Sequence, residues 1–442
     1  MSATIAYPSC LEIEPLAAPA RGICHVPGSK SIGNRALVLA ALGTDLGPCL
    51  LEGLLDSEDT RVMIDSLEKL GFDLALDWSK ATARVARKPG DSSKRTIPAA
   101  DADLQVCNSG TTMRFLTPMV ATGIGRYRLD GNTRMRQRPI ADLLSALRSL
   151  GVAATGTQPG DFPPLEINTR GLPAGDVSMR ADISSQFLSG LLLSAPKALG
   201  PLKISVEGTM VSEPYVDMTV SMLRAWGYRI DKEGAAWKVS APQSARLPRY
   251  RIEPDASAAS YFWAAAAVTG GEITVAHLGK DSLQGDVGFV EALAKMGCGV
   301  RYTPEGITVK GGELTGIDLD MNAISDTVMT LAVVACFAKG PTNIRNVAHI
   351  RHKETDRITA IANELNKIGA QVETREDGLT VYPGPLHGSR IHTYDDHRMA
   401  MSLSVAGLRV PGIVIEDPGC VRKTYPGFFQ DWERLRQMSL CD

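Results

Sequence analysis

Pro27-Gly28-Ser29-Lys30-Ser31-Ile32-Gly33-Asn34-Arg35-Ala36-Leu37 opens a helix of a kind that recurs along the chain. Ser29 can cap the helix. Lys30 and Ser31 fall in its first turn, and Arg35 lies four residues after Ser31, on the same face. From Ala36 to Leu42 the run is apolar and reads as buried. Backbone N–H groups, a hydroxyl, an ammonium and a guanidinium therefore gather at one helix N-terminus, which suits a phosphate or a carboxylate. The plain alternative is a capped helix with two solvated cations. The G-x-x-x-x-G-K-[ST] spacing of a P-loop is absent.

Working outward, helices of the same make are expected to begin near Asn108, Ser184, Asp255, Ser325 and Asp395. Each has a polar start and an apolar continuation, as in Ser184-Ser185-Gln186-Phe187-Leu188 and Asp255-Ala256-Ser257-Ala258-Ala259. A second helix family interleaves with them. Its members end in a large apolar residue and a glycine: Leu70-Gly71, Leu150-Gly151, Trp226-Gly227, Met296-Gly297 and Ile368-Gly369. Each glycine suits a left-handed helix terminus, and strand-like residues follow. A sixth helix is read over Phe428 to Met438. Both families recur at roughly 70–80 residues. The pattern predicts an α/β protein of six two-helix units with short strands, three per lobe. Pro27-Gly28 interrupts the strand-like Gly22 to Val26 and marks one seam; Arg249 to Asp255 marks the other. One lobe is therefore expected over 28–252 and the other over 1–27 and 253–442, with the ligand site in the cleft between them. Several buried helix N-termini aimed at one place would make a positive centre in a nearly neutral chain.

Composition narrows the classes. The 442 residues suggest two or three domains, and the formal net charge of −2 shows no basic excess for nucleic acid. No run of 18 apolar residues argues for a membrane span, and Met1 to Pro8 lacks a secretory pattern. The eight cysteines are scattered without a C-x-x-C pair, so reduced thiols in a cytoplasmic protein are expected. His349-x-x-His352 has no accompanying carboxylate or cysteine cluster, and no metal is expected.

Five further clusters carry ligand-grade residues: Asn108 to Arg114; Arg134 to Ile140, with Pro139 at a first helical position; Ser184-Ser185-Gln186; His352 to Arg357; and Tyr394 to Ala400. Arg422-Lys423-Thr424 lies near the end. Gly110 in a first helical turn costs up to ~1 kcal/mol relative to alanine, which close ligand approach would explain. Taken singly, the clusters also read as caps, solvated basic loops or charged helix starts. Taken in order, from Pro27-Gly28-Ser29-Lys30-Ser31 to Lys423-Thr424, the chain resembles the 5-enolpyruvylshikimate-3-phosphate synthases of the enolpyruvyl transferase family. The matching motifs include Asn34-Arg35, Arg138-Pro139-Ile140, Lys353-Glu354-Thr355-Asp356-Arg357 and Asp396-His397-Arg398-Met399-Ala400.

The resemblance implies a two-lobed inside-out α/β barrel. It also implies metal-free and cofactor-free transfer of the enolpyruvyl group of phosphoenolpyruvate to the 5-hydroxyl of shikimate 3-phosphate. By match of position, Lys30, Ser31, Arg35, Ser184, Ser185, Gln186, Ser212, Tyr215, Asp326, His349 and Lys353 would hold shikimate 3-phosphate. Lys30, Asn108, Gly110, Arg138, Gln186, Arg357, Arg398 and Lys423 would hold phosphoenolpyruvate. Asp326 would be the base at the 5-hydroxyl and Glu354 the acid–base group at the methylene carbon, with Lys30 and His397 also catalytic and Lys423 assisting at the phosphate. Glyphosate is the implied inhibitor, and a monomer is expected. His349 stands at a usual asparagine, and Phe115 stands where many members have proline, which could shift the helix that carries Gly110. A sister family acting on UDP-N-acetylglucosamine would need a Pro-Cys-x-Arg loop, which this chain lacks. A catalytically dead binding protein would have lost some of Lys30, Asp326, Glu354 or Lys423, and a nucleotide-dependent kinase would need the missing P-loop.

Overall fold

The computed structural model describes residues 5–91 and 95–440. The chain divides into two compact units, Gly28–Ile252 and, together, Met1–Pro27 with Glu253–Asp442.

The Gly28–Ile252 unit repeats one motif three times. Its sheets run Arg249–Arg251, Cys49–Glu52, Thr82–Arg87, Phe72–Asp77; then Asp101–Gln105, Ile124–Asp130, Phe162–Arg170, Ala153–Gln158; then Gly175–Arg180, Leu202–Glu207, Ala236–Val239, Ile230–Glu233. In each the first pair is parallel and the next two are antiparallel. Arg249–Arg251 comes from the far end of the unit and completes its first sheet, pairing Arg249 with Leu50. The other unit uses the same pattern, with strands borrowed from the N-terminus. Arg21–Cys24 lies parallel to Glu272–Ala276, and Cys10–Ile13 lies antiparallel to Ile413–Glu416. Among the described residues the six sheets are open and none closes into a barrel.

The core of each unit is helical because its helices are apolar all round. Every residue of Gly110–Ala121 is buried, as is Ala256–Thr269 as far as Val268. The surface helices are amphipathic and end at glycines 71, 151, 227, 297 and 369, all with positive φ between 91° and 112°. Pro118 lies inside Gly110–Ala121 and has no N–H to give the Arg114 carbonyl. There the helix Ser185–Ser194 comes so close that a Cβ on Gly190 would collide with that oxygen.

Core-helix starts differ in detail from the sequence expectation. Ser109, not Asn108, caps its helix by accepting the Thr112 N–H. Asp396, not Asp395, caps His397–Gly407, because Asp395 sits in a left-handed turn at φ 52°. Around Ser325 the chain forms a 3-10 turn, Asn322–Thr327, before the helix Val328–Ala335. Pro139 stands outside its helix, which runs Ala141–Ser149 from an Ile140 cap. A proline forces the residue before it out of helical geometry, and Arg138 is accordingly extended at φ −86°, ψ 133°. Phe115 does not interrupt the helix of Gly110: it is fully buried within it.

Candidate active site

In the Gly28–Ile252 unit three core helices begin with serine caps, Ser29, Ser109 and Ser184. Side chains from their first two turns tie them together. Asn34 Nδ2 donates to Thr111 Oγ1 at 2.6 Å, and Arg35 Nη2 donates to Ser189 Oγ at 3.3 Å. The N-terminal ends of three helices therefore lie near one another, which favours anions.

Lys30, in the first of these turns, pairs with Asp59 Oδ2 at 3.0 Å. Ser31 lends its carbonyl to Arg35 Nη1 at 2.9 Å, while Arg35 Nε reaches Thr219 Oγ1 at 2.8 Å and Nη2 reaches the Tyr215 carbonyl at 3.0 Å. The Arg35 guanidinium also lies over the Phe115 ring, 4.9 Å from its centroid. Burial lowers its pKa to about 10, so it stays a cation at neutral pH. Ser212, at φ 51°, sets the turn into the helix of Tyr215 and accepts the Tyr215 N–H at 3.1 Å. Arg138 donates to the Asn108 carbonyl and side-chain oxygen at 3.3 and 3.4 Å. It lies against Gly110, where a Cβ would come within 2.7 Å of Arg138 Nη2. Ser185 is buried and Gln186 half-buried in the third helix start.

The other unit gathers the charged motifs. Its three core helices are joined by hydroxyls, Ser260 to Thr330 at 3.3 Å and Thr330 to Ser402 at 3.2 Å. Asp326, in the 3-10 turn, receives Arg398 Nη2 at 2.7 Å, Arg357 Nη1 at 3.3 Å and Lys353 Nζ at 3.5 Å. Burial alone would raise its pKa, but Arg398, Lys353 and Arg357 outweigh burial and hold the carboxyl well below its usual range. Arg357 is the hub. It binds Glu354 at 2.9 Å and grips Asp396 with Nε at 2.8 Å and Nη2 at 3.1 Å. Burial works against its charge, and the carboxylates of Asp396, Glu354 and Asp326 more than offset burial. Lys423 Nζ lies 3.9 Å from Glu354. His397 is buried, with Nδ1 3.6 Å from Asp396. Burial first and the neighbouring Lys353 second lower the His349 pKa to about 3, so its imidazole is neutral. A neutral ring can offer one donor and one acceptor, as an amide does.

The anion-directed residues thus fall into two groups, one per unit, gathered from helix starts and the turns beside them. The profile of the family described as EPSP synthase (3-phosphoshikimate 1-carboxyvinyltransferase) matches residues 17–432. The chain belongs to the EPSP synthase family. It is 45% identical over 421 residues to the 3-phosphoshikimate 1-carboxyvinyltransferase of Nostoc punctiforme, covering 95% of this chain and 97% of that one. It is 44% identical to that of a Marinomonas strain, covering 93% and 96%. Its fold is similar to an EPSP synthase structure from Acinetobacter baumannii, with a TM-score of 0.79 and 26% identity over 96% of this chain and 98% of that one.

Several residues of this EPSP synthase family member escaped the sequence reading. Asp59 lies in the first turn of the helix Glu58–Lys69, and only the fold sets it against Lys30. Asp286 is buried, bonded to Ser257 Oγ, and its pKa is raised by burial and then by the charge of Asp326. Tyr261, inside an alanine-rich helix, accepts a hydrogen bond at its hydroxyl from Arg398 Nη1 at 3.4 Å. None of these carried a motif signal. Among the described residues no helix is long and apolar enough to cross a membrane.

Proposed function

We propose that the protein transfers the enolpyruvyl group of phosphoenolpyruvate to the 5-hydroxyl of shikimate 3-phosphate and releases phosphate, and that residues of both units serve this one reaction. In the addition step the methylene carbon gains a proton and the 5-oxygen bonds to the neighbouring carbon, while a base takes the hydroxyl proton. In the elimination step a proton leaves the new methyl group, the double bond re-forms and phosphate departs.

The observation that carries this reading is the pair of carboxylates, Asp326 and Glu354, bridged by the single guanidinium of Arg357. Two proton-transfer groups of opposite task need different surroundings. Asp326 faces three cations, and Glu354 is held by Arg357 with Lys423 further off. In this arrangement Asp326 is ionised yet a weak base. Substrate phosphate and carboxylate groups compete for Arg398, Arg357 and Lys353, and each cation drawn away raises the basicity of Asp326. The base is thereby strengthened as the substrates arrive. Lys30, at a helix N-terminus, suits anionic groups of both substrates once they displace Asp59, and Arg138, Arg357, Arg398 and Lys423 supply the cations for phosphoenolpyruvate. The serine-capped helix starts, with Tyr215, Lys353 and the neutral His349, suit shikimate 3-phosphate. The cysteines among the described residues are free thiols, which supports a reducing, cytoplasmic setting.

The deciding experiment is phosphate release by the purified protein with both substrates, and with each omitted. Release that needs both supports the reading. Absence of release with both present, in folded protein, refutes it.

A further inference from the structure

The helix Arg357–Lys367 grips one turn of the charged unit at two heights. Arg357, its first residue, holds Asp396 through two bonds. Seven residues on, and so two helical turns along the same face, stands Glu364, which is fully buried. Its carboxylate accepts the His392 backbone N–H at 3.0 Å and the Tyr394 hydroxyl at 2.8 Å. Lys367 supplies the countercharge, 2.9 Å from each carboxylate oxygen. A buried carboxylate so fully engaged is held in one place, and its partners are held with it.

Those partners belong to a strained segment. Between the strand Arg390–Ile391 and the helix His397–Gly407 the chain reverses in a turn closed by the Asp396 N–H on the Thr393 carbonyl, 2.9 Å. Its two central residues, Tyr394 and Asp395, both have positive φ, 56° and 52°. Side chains with a Cβ avoid that region, and such geometry persists only where the surroundings impose it. Glu364 fastens the entry to the turn, and Arg357 fastens its exit at Asp396. The next two residues are His397 and Arg398, and Arg398 reaches Asp326.

We propose that Glu364 is a positioning residue: by clamping His392 and Tyr394 it sets the height at which Asp396, His397 and Arg398 enter their helix, and so where the guanidinium groups of Arg357 and Arg398 meet phosphoenolpyruvate. The inference rests on the function proposed above. Glu364 touches no substrate; it acts through the turn.

The test compares Glu364→Ala, Glu364→Gln and Tyr394→Phe in steady-state phosphate release, varying each substrate. A fold weakened as a whole lowers the active fraction and hence kcat, leaving KM unchanged. Displaced guanidinium groups raise KM for phosphoenolpyruvate selectively. Glu364→Ala is expected to raise that KM tenfold or more, with KM for shikimate 3-phosphate within threefold of wild type. Tyr394→Phe removes one bond from a half-buried site and should raise KM for phosphoenolpyruvate threefold to tenfold. Glu364→Gln still accepts the His392 N–H and should recover most of the loss. KM for phosphoenolpyruvate within twofold of wild type in both Tyr394→Phe and Glu364→Ala overturns the proposal; if Glu364→Ala does not fold, Tyr394→Phe decides. Hydrogen exchange at residues 394–398 is measured in the same variants. Faster exchange there than in wild type supports the clamp, and unchanged exchange overturns it. If the wild type releases no phosphate, the functional reading falls, and this exchange measurement still judges the clamp.

Discussion

Gly110→Ala tests the site at its tightest point. The backbone at Gly110 lies in the first helical turn, so alanine there carries no left-handed strain and should favour the helix by up to ~1 kcal/mol. Any loss must then come from what the methyl group meets. An added Cβ lies 2.7 Å from Arg138 Nη2 and 3.1 Å from Cζ and Nη1. To reach an ordinary contact of about 3.5 Å the guanidinium must retreat by about 0.8 Å. Little opposes that retreat, since the bonds from Arg138 to Asn108 are long, at 3.3 and 3.4 Å. The guanidinium would then stand away from a bound phosphate or phosphonate by a similar distance, enough to loosen one charge-assisted bond worth about 1.5–3 kcal/mol. That energy corresponds to a rise of about tenfold to a hundredfold in KM for phosphoenolpyruvate, at 1.4 kcal/mol per factor of ten. The lower end is expected, because the displaced group is the flexible tip of a long side chain. Glyphosate, which inhibits this family, is longer than phosphoenolpyruvate and needs the same space, so its inhibition should weaken by more than KM rises. The assay is phosphate release at varied phosphoenolpyruvate and glyphosate, with urea unfolding as a control. Wild-type KM and wild-type glyphosate inhibition in a folded Gly110→Ala protein would refute the reasoning.

The remaining expectations concern charge. Lys30→Met should lower kcat/KM by several orders of magnitude and also destabilise the fold, because Asp59 is buried against Lys30. Lys30→Met combined with Asp59→Asn should restore the urea midpoint without restoring activity; recovery of both would remove Lys30 from the reaction. Glu354→Gln and Asp326→Asn should each turn over at least ~100-fold more slowly while still binding shikimate 3-phosphate in calorimetry; a variant with normal kcat would lose its assigned role. His349 has a folded pKa of about 3 against about 6.5 unfolded, so the unfolded chain binds the extra proton. Its contribution to stability is present above about pH 6.5 and drains away as pH falls towards 3. His349→Asn should flatten the dependence of unfolding free energy on pH in that window, and an unchanged slope would show that the ring does not titrate as described.

What the sequence determined by itself was everything written in local chemistry. The six core helices are apolar beyond their first turns, and each run needs only its own residues to declare itself buried. Glycines 71, 151, 227, 297 and 369 end helices because a left-handed residue without a Cβ is a local need. The clusters from Lys30 to Lys423 were legible for a similar reason, since polar groups crowd the starts of helices that then turn apolar. Boundaries slipped by a residue where two polar residues compete, as at Asn108 with Ser109 and Asp395 with Asp396. Only tertiary structure decided which side chain faces which. Nothing near Lys30 in sequence foretells Asp59, and nothing near Arg357 foretells Asp396, thirty-nine residues away. The fold also decided the neighbours of Arg35, which is buried among Ser31, Ser189, Tyr215 and Thr219 with its guanidinium over the Phe115 ring. The ionisation of Asp326 and the neutrality of His349 were likewise settled there, because a pKa depends on burial and on charges within a few ångströms. For Asp326 those neighbours, Lys353, Arg357 and Arg398, stand 27, 31 and 72 residues away, and for His349 the burial itself comes from packing that no local pattern encodes.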